Sequence, residues 1–362
     1  MPSQPARLKR RTKLTEIDMK KLITFAIPCY NSADYMEKCI DNLLTVGEEA
    51  EIIIIDDGST KDNTGEIADR YQREYPNICV AHHQENGGHG EGVNQGIRLA
   101  KGIYYKVVDS DDWLDVECLK TLMERLRRFD EKEEYPDLIV SNYVYEHEDG
   151  PGHSMNYKSV FPLERICTWD DIHHMKPALY FMMHSFIYKL DTLKEGHIDL
   201  PKHTFYVDNL YIYSPLPKIK TIYYMDLDLY RYFIGREGQS IEEANMIKRV
   251  DQQLLVSMLM IDACDLEAAK KQSKGLYHVL VHHLALNLMN SSIFLYMKNT
   301  PESIAKVKAM WLHLKNKNEK EYRAIRYRSC ATLTCIPGKF GRFLTIKGYK
   351  IANHIIGIND QA

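Results

Sequence analysis

Residues 51–59 read EIIIIDDGS. Four consecutive isoleucines cannot alternate between core and solvent. The run therefore predicts a strand buried on both faces, the pattern of a parallel sheet. It ends on the carboxylate pair Asp56-Asp57 and the turn residues Gly58-Ser59. Working outward, residues 22–28 (LITFAIP) form an earlier apolar run, and Ser32 offers a cap to a helix reaching about Thr45. A helix over 63–75 and a strand over 78–82 follow. Residues 86–92 (NGGHGEG) read as a Gly-rich loop leading into a helix to Ala100. Residues 103–108 predict a strand ending in Asp109-Ser110-Asp111-Asp112, then a charged helix over 116–129 and a strand over 138–145. Strands separated by single helices imply right-handed parallel crossovers. The predicted class is α/β, a doubly wound, mostly parallel sheet with flanking helices.

Residues 146–220 are less regular and rich in His, Tyr and Pro, and 222–232 predict one more strand. From about 242 the pattern turns helical: roughly 244–270, 275–297, 301–317 and 320–331. A last segment after Pro337-Gly338 carries Phe340, Phe343, Leu344, Ile351 and Ile355 at mixed spacing of three and four. An all-α C-terminal appendage is expected. No internal repeat is visible.

The 362 residues are 44% hydrophobic and 27% charged, which excludes a disordered or collagen-like chain. The longest aliphatic run, residues 52–55, falls far short of the ~20 residues that span a bilayer. The formal charge of −3 hides an uneven distribution. Residues 1–21 hold 7 basic and 2 acidic residues, and 306–350 hold 12 basic and 2 acidic, so an acidic body carries two basic ends. Such asymmetry points to a polyanionic surface, or to a solvated helix face. The eight cysteines form no C-x-x-C pair or zinc spacing and read as small buried hydrophobes in a reducing compartment. The start lacks the apolar core of a secretory signal, so a cytoplasmic protein is expected.

In open α/β sheets, ligands bind beyond the carboxyl ends of the strands. Here those ends carry Cys29-Tyr30-Asn31, Asp56-Asp57-Gly58-Ser59, the Gly-rich loop and Asp109–Asp112. Carboxylates crowded at one sheet edge need an offsetting cation or hydrogen-bond donors. Mg²⁺ or Mn²⁺ suits such oxygens and often shares its site with phosphates. A nicotinamide-binding fingerprint would need G-x-G-x-x-G directly after the first strand, where P-C-Y-N stands, and no GxxxxGK[ST] occurs.

Five segments together carry a resemblance: FAIPCYNSADYMEKCIDNLL, EIIIIDDGSTKDNTGEIADRY, ENGGHGEGVNQGIRLAKGIYYKVVDSDDW, FYVDNLY and YRYFIGREGQSI. In order and spacing they resemble a family 2 glycosyltransferase with the inverting GT-A fold, over roughly residues 21–241. The resemblance implies a basic extension over 1–20 and a catalytic domain over 21–241. Within the latter, a nucleotide-binding half covers about 21–145 and an acceptor half about 146–241. A helical basic region, 242–362, follows.

What the resemblance implies is placed residue by residue. Pro28, Tyr30 and Asn31 match the segment lining the nucleotide base. Asp57 matches the carboxylate that accepts from the base, a uracil N–H being the natural donor, so a UDP-sugar is the expected donor. Asp109, Ser110 and Asp111 match the D-x-D motif, with Asp109 at ribose or metal and Asp111 on the metal bridging the diphosphate, Mn²⁺ or Mg²⁺. Asp112 is expected to point the other way and cap the next helix. The loop departs from the commoner pattern, which carries an Arg after N-G-G. Gly88, His89 and Asn94 then become the candidates near diphosphate or sugar. Phe205-Tyr206-Val207-Asp208 matches the E-D element with Val207 in place of the acid, and Asp208 is the implied catalytic base. Arg231, Arg236, Gln239 and Ser240 match the loop closing over the diphosphate, with the choice between the two arginines open.

The implied acceptor is a glycan or lipid-linked glycan. The basic 306–350 stretch implies either peripheral contact with the inner face of a membrane or a subunit contact, such as a homodimer. No nucleic-acid module accompanies the charge. Val207 and the absent loop Arg leave one alternative, a non-catalytic degenerate GT-A protein acting as an assembly partner; a nucleotidyltransferase, which also joins nucleotide, metal and acidic strand ends, is another.

Overall fold

The structure, a computed structural model, describes residues 19–147, 152–177, 179–234 and 243–356. Arg236, Gln239 and Ser240 lie outside the described residues, as does most of the basic N-terminal stretch.

The strands are β1 (Ile23–Cys29), β2 (Ala50–Asp56), β3 (Cys79–His83), β4 (Tyr104–Val107), β5 (Trp113–Leu114), β6 (Leu138–Glu146), β7 (His153–Met155), β8 (Ile166–Cys167), β9 (Phe186–Lys189) and β10 (Ile222–Phe233). The helices among the first nine strands are α1 (Met36–Leu44), α2 (Thr64–Glu74), α3 (His89–Leu99) and α4 (Val116–Lys132). Next come α5 (Leu190–Glu195) and α6 (Asp208–Tyr213). The helices after β10 are α7 (Glu243–Lys248), α8 (Val250–Ala263), α9 (Leu266–Gln272), α10 (Lys274–Lys298), α11 (Pro301–Lys317), α12 (Glu319–Arg328) and α13 (Gly338–Ile356).

The sheet runs β3-β2-β1-β4-β9-β6-β10-β5. β1, β2, β3 and β4 are parallel, and every residue of β1 and β2 is buried, as the isoleucine run requires. The sheet is mixed rather than a simple continuation of parallel crossovers. β9 enters between β4 and β6, antiparallel to both. Its four residues, FIYK, are too short to stand out from the irregular 146–220 region. The insertion has a consequence for the site. The register pairs Tyr104 with Lys189 and Tyr105 with Tyr188. Continued outward, it lays His184 beside Asp109.

The expected helix over 244–270 is three helices, α7, α8 and α9; at the second break Asp265 accepts from the backbone N–H groups of Glu267 and Ala268 and restarts the chain as α9. The helix expected over 320–331 ends at Arg328. Among the described residues only α10 is long and apolar enough to cross a membrane, and 67% of its apolar window is buried within the protein. Leu276, Leu280, Leu284 and Leu288 pack it into the core.

Candidate active site

β1, β2 and β4 are parallel, so the residues following them gather at one sheet edge. Tyr30 is 47% exposed there. Pro28 is buried beneath α3, which approaches closely at Gly92, where a Cβ would stand 3.0 Å from the proline ring. Asn31 takes a left-handed φ of 49°, and its side-chain oxygen accepts from the backbone of Thr60 and Lys61. Ser110 is buried, with its hydroxyl 3.1 Å from that of Ser32.

Asp57 already has partners within the protein. Its carboxylate accepts from Gln84 Nε2 at 2.7 Å, Gly87 N at 2.8 Å and Gly88 N at 2.8 Å. With 3% of the residue exposed, these donors use most of its four lone pairs. Burial forces this satisfaction, and it locks the Gly-rich loop onto the end of β2. Asp56 faces the turn, accepting from Ser59 N and contacting His83.

The loop is shorter than the glycines suggest. Gly88, at φ 81°, is the cap of α3, so His89 begins a helix rather than sitting in a loop. A Cβ on Gly88 would also approach His203 N at 3.0 Å, and that N–H donates to Gly87 O at 2.7 Å. Asn94 does not reach a ligand position. Its amide clasps both backbone groups of Leu200, donating to the carbonyl at 2.9 Å and accepting from the N–H at 3.0 Å. It is 2% exposed, so this is a structural clip joining α3 to the 199–208 loop.

The acidic strand end is the centre of the arrangement. His89 Nε2 lies 2.8 Å from Asp109 Oδ1. Burial works against a charged ring at His89. The hydrogen bond to Asp109 and the charges of Asp109, Asp208 and Asp111 outweigh it and hold its pKa above the ordinary value. Burial likewise opposes ionisation of Asp109, but His89 brings that carboxyl below its usual range.

Asp112 does not cap the next helix. Asp115 does, accepting from Cys118 N. Asp112 turns inward, 1% exposed, with Oδ1 accepting from Phe233 N at 3.0 Å and Oδ2 from Tyr230 Oη at 2.7 Å. The same tyrosine oxygen accepts from Asp109 N at 3.1 Å. Burial, then the charges of Asp109 and the partly exposed Asp111, push the Asp112 carboxyl well above the normal range.

His184 closes the cluster. Its ring stacks on Tyr230 with centroids 4.4 Å apart, and its carbonyl accepts from buried Lys106 Nζ at 2.6 Å. Burial pushes His184 down to about 4 and Lys106 down to about 7. Nδ1 of His184 is buried with no hydrogen-bond partner among the described residues. One ligand atom each from Asp109, Asp112 and His184 lie within 4.8 Å of one another. Three carboxylates in four residues, with an orphaned neutral ring nitrogen alongside, are a donor set that fits a divalent cation.

Asp208 opens α6, and no side-chain cap bond forms there. Tyr206 just before it holds a left-handed φ of 66°, a strained conformation for an aromatic residue. Burial, joined by the charge of Asp109, raises the Asp208 carboxyl despite the opposing charge of His89. Asp208, Asp109 and His89 thus share one electrostatic environment. Beneath Asp208 runs a chain of amides. Asn209 Nδ2 donates to Asp208 Oδ1 at 3.2 Å, Asn287 Nδ2 to Asn209 Oδ1 at 2.8 Å, and Gln253 Nε2 to Asn287 Oδ1 at 2.8 Å. The loop is held from the same side by Phe205 N, which donates to Gln252 Oε1 at 2.8 Å. Helix α10 therefore supports residue 208 through Asn209, and α8 does so through Asn287 and the backbone of Phe205.

Arg231 does not join the cluster. Its guanidinium binds Glu146 at 2.9 Å and Asp115 at 3.1 Å. Neighbouring strand residues face opposite sides, so Tyr230 rather than Arg231 points at the acidic residues. That alternation within YRYF was the available signal for Tyr230. His184 had no local signal, because only the β4–β9 pairing brings it in.

Comparison with known proteins places this architecture. Residues 24–189 match the profile of glycosyl transferase family 2. The chain is 30% identical over 233 residues to the uncharacterized glycosyltransferase MG025 homolog of Mycoplasma pneumoniae, covering 62% of this chain and 71% of that one. It is 29% identical over 220 residues to glycosyltransferase GlyG of Streptococcus pneumoniae serotype 4, covering 54% and 71%. The chain belongs to glycosyl transferase family 2 and is a glycosyltransferase. Its fold matches S. aureus TarS 1-349 in complex with UDP-GlcNAc at a TM-score of 0.64, with 20% identity over 92% of each chain, a likeness of GT-A fold alone.

Proposed function

We propose that this glycosyltransferase moves a hexosyl or N-acetylhexosaminyl group from a UDP-sugar to a hydroxyl of a glycan or lipid-linked glycan, with inversion and with a divalent metal. The observation that carries the reading is the shared environment of Asp208, His89 and Asp109, drawn from three distant parts of the chain. The complex of TarS with UDP-GlcNAc supports the donor class. Eight free cysteines agree with a reducing compartment, the cytoplasm.

In this reading Tyr30 stacks on the base, with Pro28, Asn31 and Ser110 shaping the turns around the nucleotide. Asp57 orders the Gly-rich loop, so that its backbone comes close to the donor. Asp109 and Asp111, with Asp112 and His184 behind them, would hold Mn²⁺ or Mg²⁺, which supplies positive charge for the diphosphate. His89, tied to Asp109, adds a second positive charge beside it. Asp208 accepts the acceptor hydroxyl proton as that oxygen bonds to the anomeric carbon. The bond to the departing diphosphate breaks on the opposite face, its electron pair going to the phosphate oxygen. Burial raises the basicity of Asp208, which favours proton transfer near neutral pH.

A donor screen reading UDP release with and without Mn²⁺ tests the proposal. Release from at least one UDP-sugar, lost in Asp111→Ala, is expected. Asp208→Asn should retain UDP affinity and lose roughly 10²–10⁴-fold in transfer. Pyrophosphate release from a nucleoside triphosphate would replace the reading with nucleotidyl transfer. Silence with every donor would leave a binding protein.

A further inference from the structure

The C-terminal helix α13 carries apolar side chains on two faces: Ile346 and Tyr349 pack against the core, and a second set points outward. Its inward face is fixed by three positions four residues apart. At Gly341 a Cβ would meet Ile336 O at 2.1 Å, so only glycine fits. Thr345 is 3% exposed and donates to Leu333 O at 3.0 Å. The Tyr349 ring packs edge-on against Phe294 of α10, with centroids 5.5 Å apart. This leaves Phe340, Phe343 and Ile351 outward, at 70%, 55% and 60% exposure. Leu333, on the 3₁₀ turn Cys330–Cys335, and Tyr327 on α12 are also exposed. A surface helix ordinarily has one apolar face, the buried one, so this second face is left without a partner among the described residues. A group of exposed large apolar side chains marks an interaction site.

The charge around these residues has one sign. From Tyr322 to Ala352 the sequence carries Arg323, Arg326, Arg328, Lys339, Arg342, Lys347 and Lys350 and no acidic residue. Among the described residues, no ion pair engages Lys339, Arg342, Lys347 or Lys350. Lys347 lies in the apolar stripe itself, its Nζ 5.8 Å from the Phe343 ring centre.

We infer that this surface docks on an anionic lipid bilayer. Lysines beside outward phenylalanines need negative charge and an apolar phase within one side chain's length. A bilayer supplies headgroups for the first and the acyl boundary for the second. Lysine stems lie along the apolar layer while their ammonium groups reach the phosphates. A nucleic acid offers phosphate without the apolar phase. A second copy in two-fold contact would bring this basic patch against itself. The inference does not rest on the sugar chemistry proposed above.

Flotation of the full-length protein with vesicles tests it. The protein should float with vesicles containing phosphatidylglycerol, much less with phosphatidylcholine alone, and less at raised salt. The triple substitution F340S/F343S/I351S should weaken binding roughly 30-fold or more, while UDP release in solution stays unchanged. Should the triple variant not fold, Phe340→Ser alone must lower binding severalfold. Changing Lys339, Lys347 and Lys350 to Gln should remove the preference for anionic lipid. Failure of the parent protein to float with anionic vesicles overturns the inference. So does undiminished binding by the apolar variant, or a change in that variant confined to its oligomeric mass.

Discussion

His89 Nε2 contacts Asp109 Oδ1 at 2.8 Å, tying the first turn of α3 to the end of β4. The contact places a cation candidate near the part of the loop where the commoner family pattern carries an arginine. It also makes one ring the counter-charge for both Asp109 and Asp208. In His89→Gln that counter-charge is gone and Asp208 becomes harder to ionise. The acid limb of the kcat–pH profile is therefore expected at higher pH than in the parent enzyme. An acid limb that stays in place would separate His89 from Asp208.

Tyr230 and Arg231 are adjacent on β10 and face opposite sides. Tyr230→Phe removes a hydroxyl that both donates to Asp112 and accepts from Asp109 N. Two buried groups lose a partner, so stability should fall by about 1–3 kcal/mol, and metal-dependent UDP affinity should fall with it. Arg231→Met breaks contacts to Glu146 and Asp115. It should cost stability and leave UDP affinity within about twofold. Calorimetric titration of both variants with UDP and Mn²⁺ reads the contrast. Equal loss of affinity in the two would restore Arg231 to the diphosphate.

Asn287 lies on α10, far along the chain from residue 208, yet it sets the orientation of Asn209. Its N–H donates to Asn209 Oδ1, which leaves Asn209 Nδ2 to donate to Asp208. Asn287→Leu leaves that amide held only through Nδ2, by Tyr206 O and Asp208, and a misplaced carboxylate costs rate rather than binding. We expect kcat to drop about tenfold or more with UDP affinity unchanged. The effect should vanish when Asp208 is already Asn. A parallel fall in kcat and affinity would mean that Asn287 only holds the fold.

Local physics alone decides some of these elements. Ile52–Ile55 had to be a doubly buried strand, and the carboxylates of Asp109–Asp112 had to follow one. What escaped depends on partners distant in the chain. β9 is four residues whose pairing with β4 costs a long loop closure and leaves no periodic trace. His184 arrives with it. Asp112 and Asp115 are equally good caps by composition, and only the Tyr230 hydroxyl and Phe233 N–H draw Asp112 inward. Asn94 and Asp57 carry polar groups whose partners within the protein cannot be assigned in one dimension. In three, Leu200 and the Gly87-Gly88 backbone occupy them.

His283 gives the fold a predictable acid weakness. It sits in α10, stacked on Phe181 with centroids 4.9 Å apart, and its Nε2 has no partner among the described residues. Burial pushes its pKa down to about 3 from 6.5. Above pH 6.5 the ring is neutral both folded and unfolded, and it adds no pH dependence. Between 6.5 and about 3 the unfolded chain binds a proton that the native state refuses, so stability falls as pH falls. One such group costs about 1.4 kcal/mol per pH unit across that window. His283→Leu should flatten the loss in urea-melt stability between neutral and mildly acid pH by roughly 2 kcal/mol. At neutral pH the apolar replacement should be near neutral in stability. A variant that loses stability on acidification as steeply as the parent would show that other groups, His184 first among them, set the acid limit.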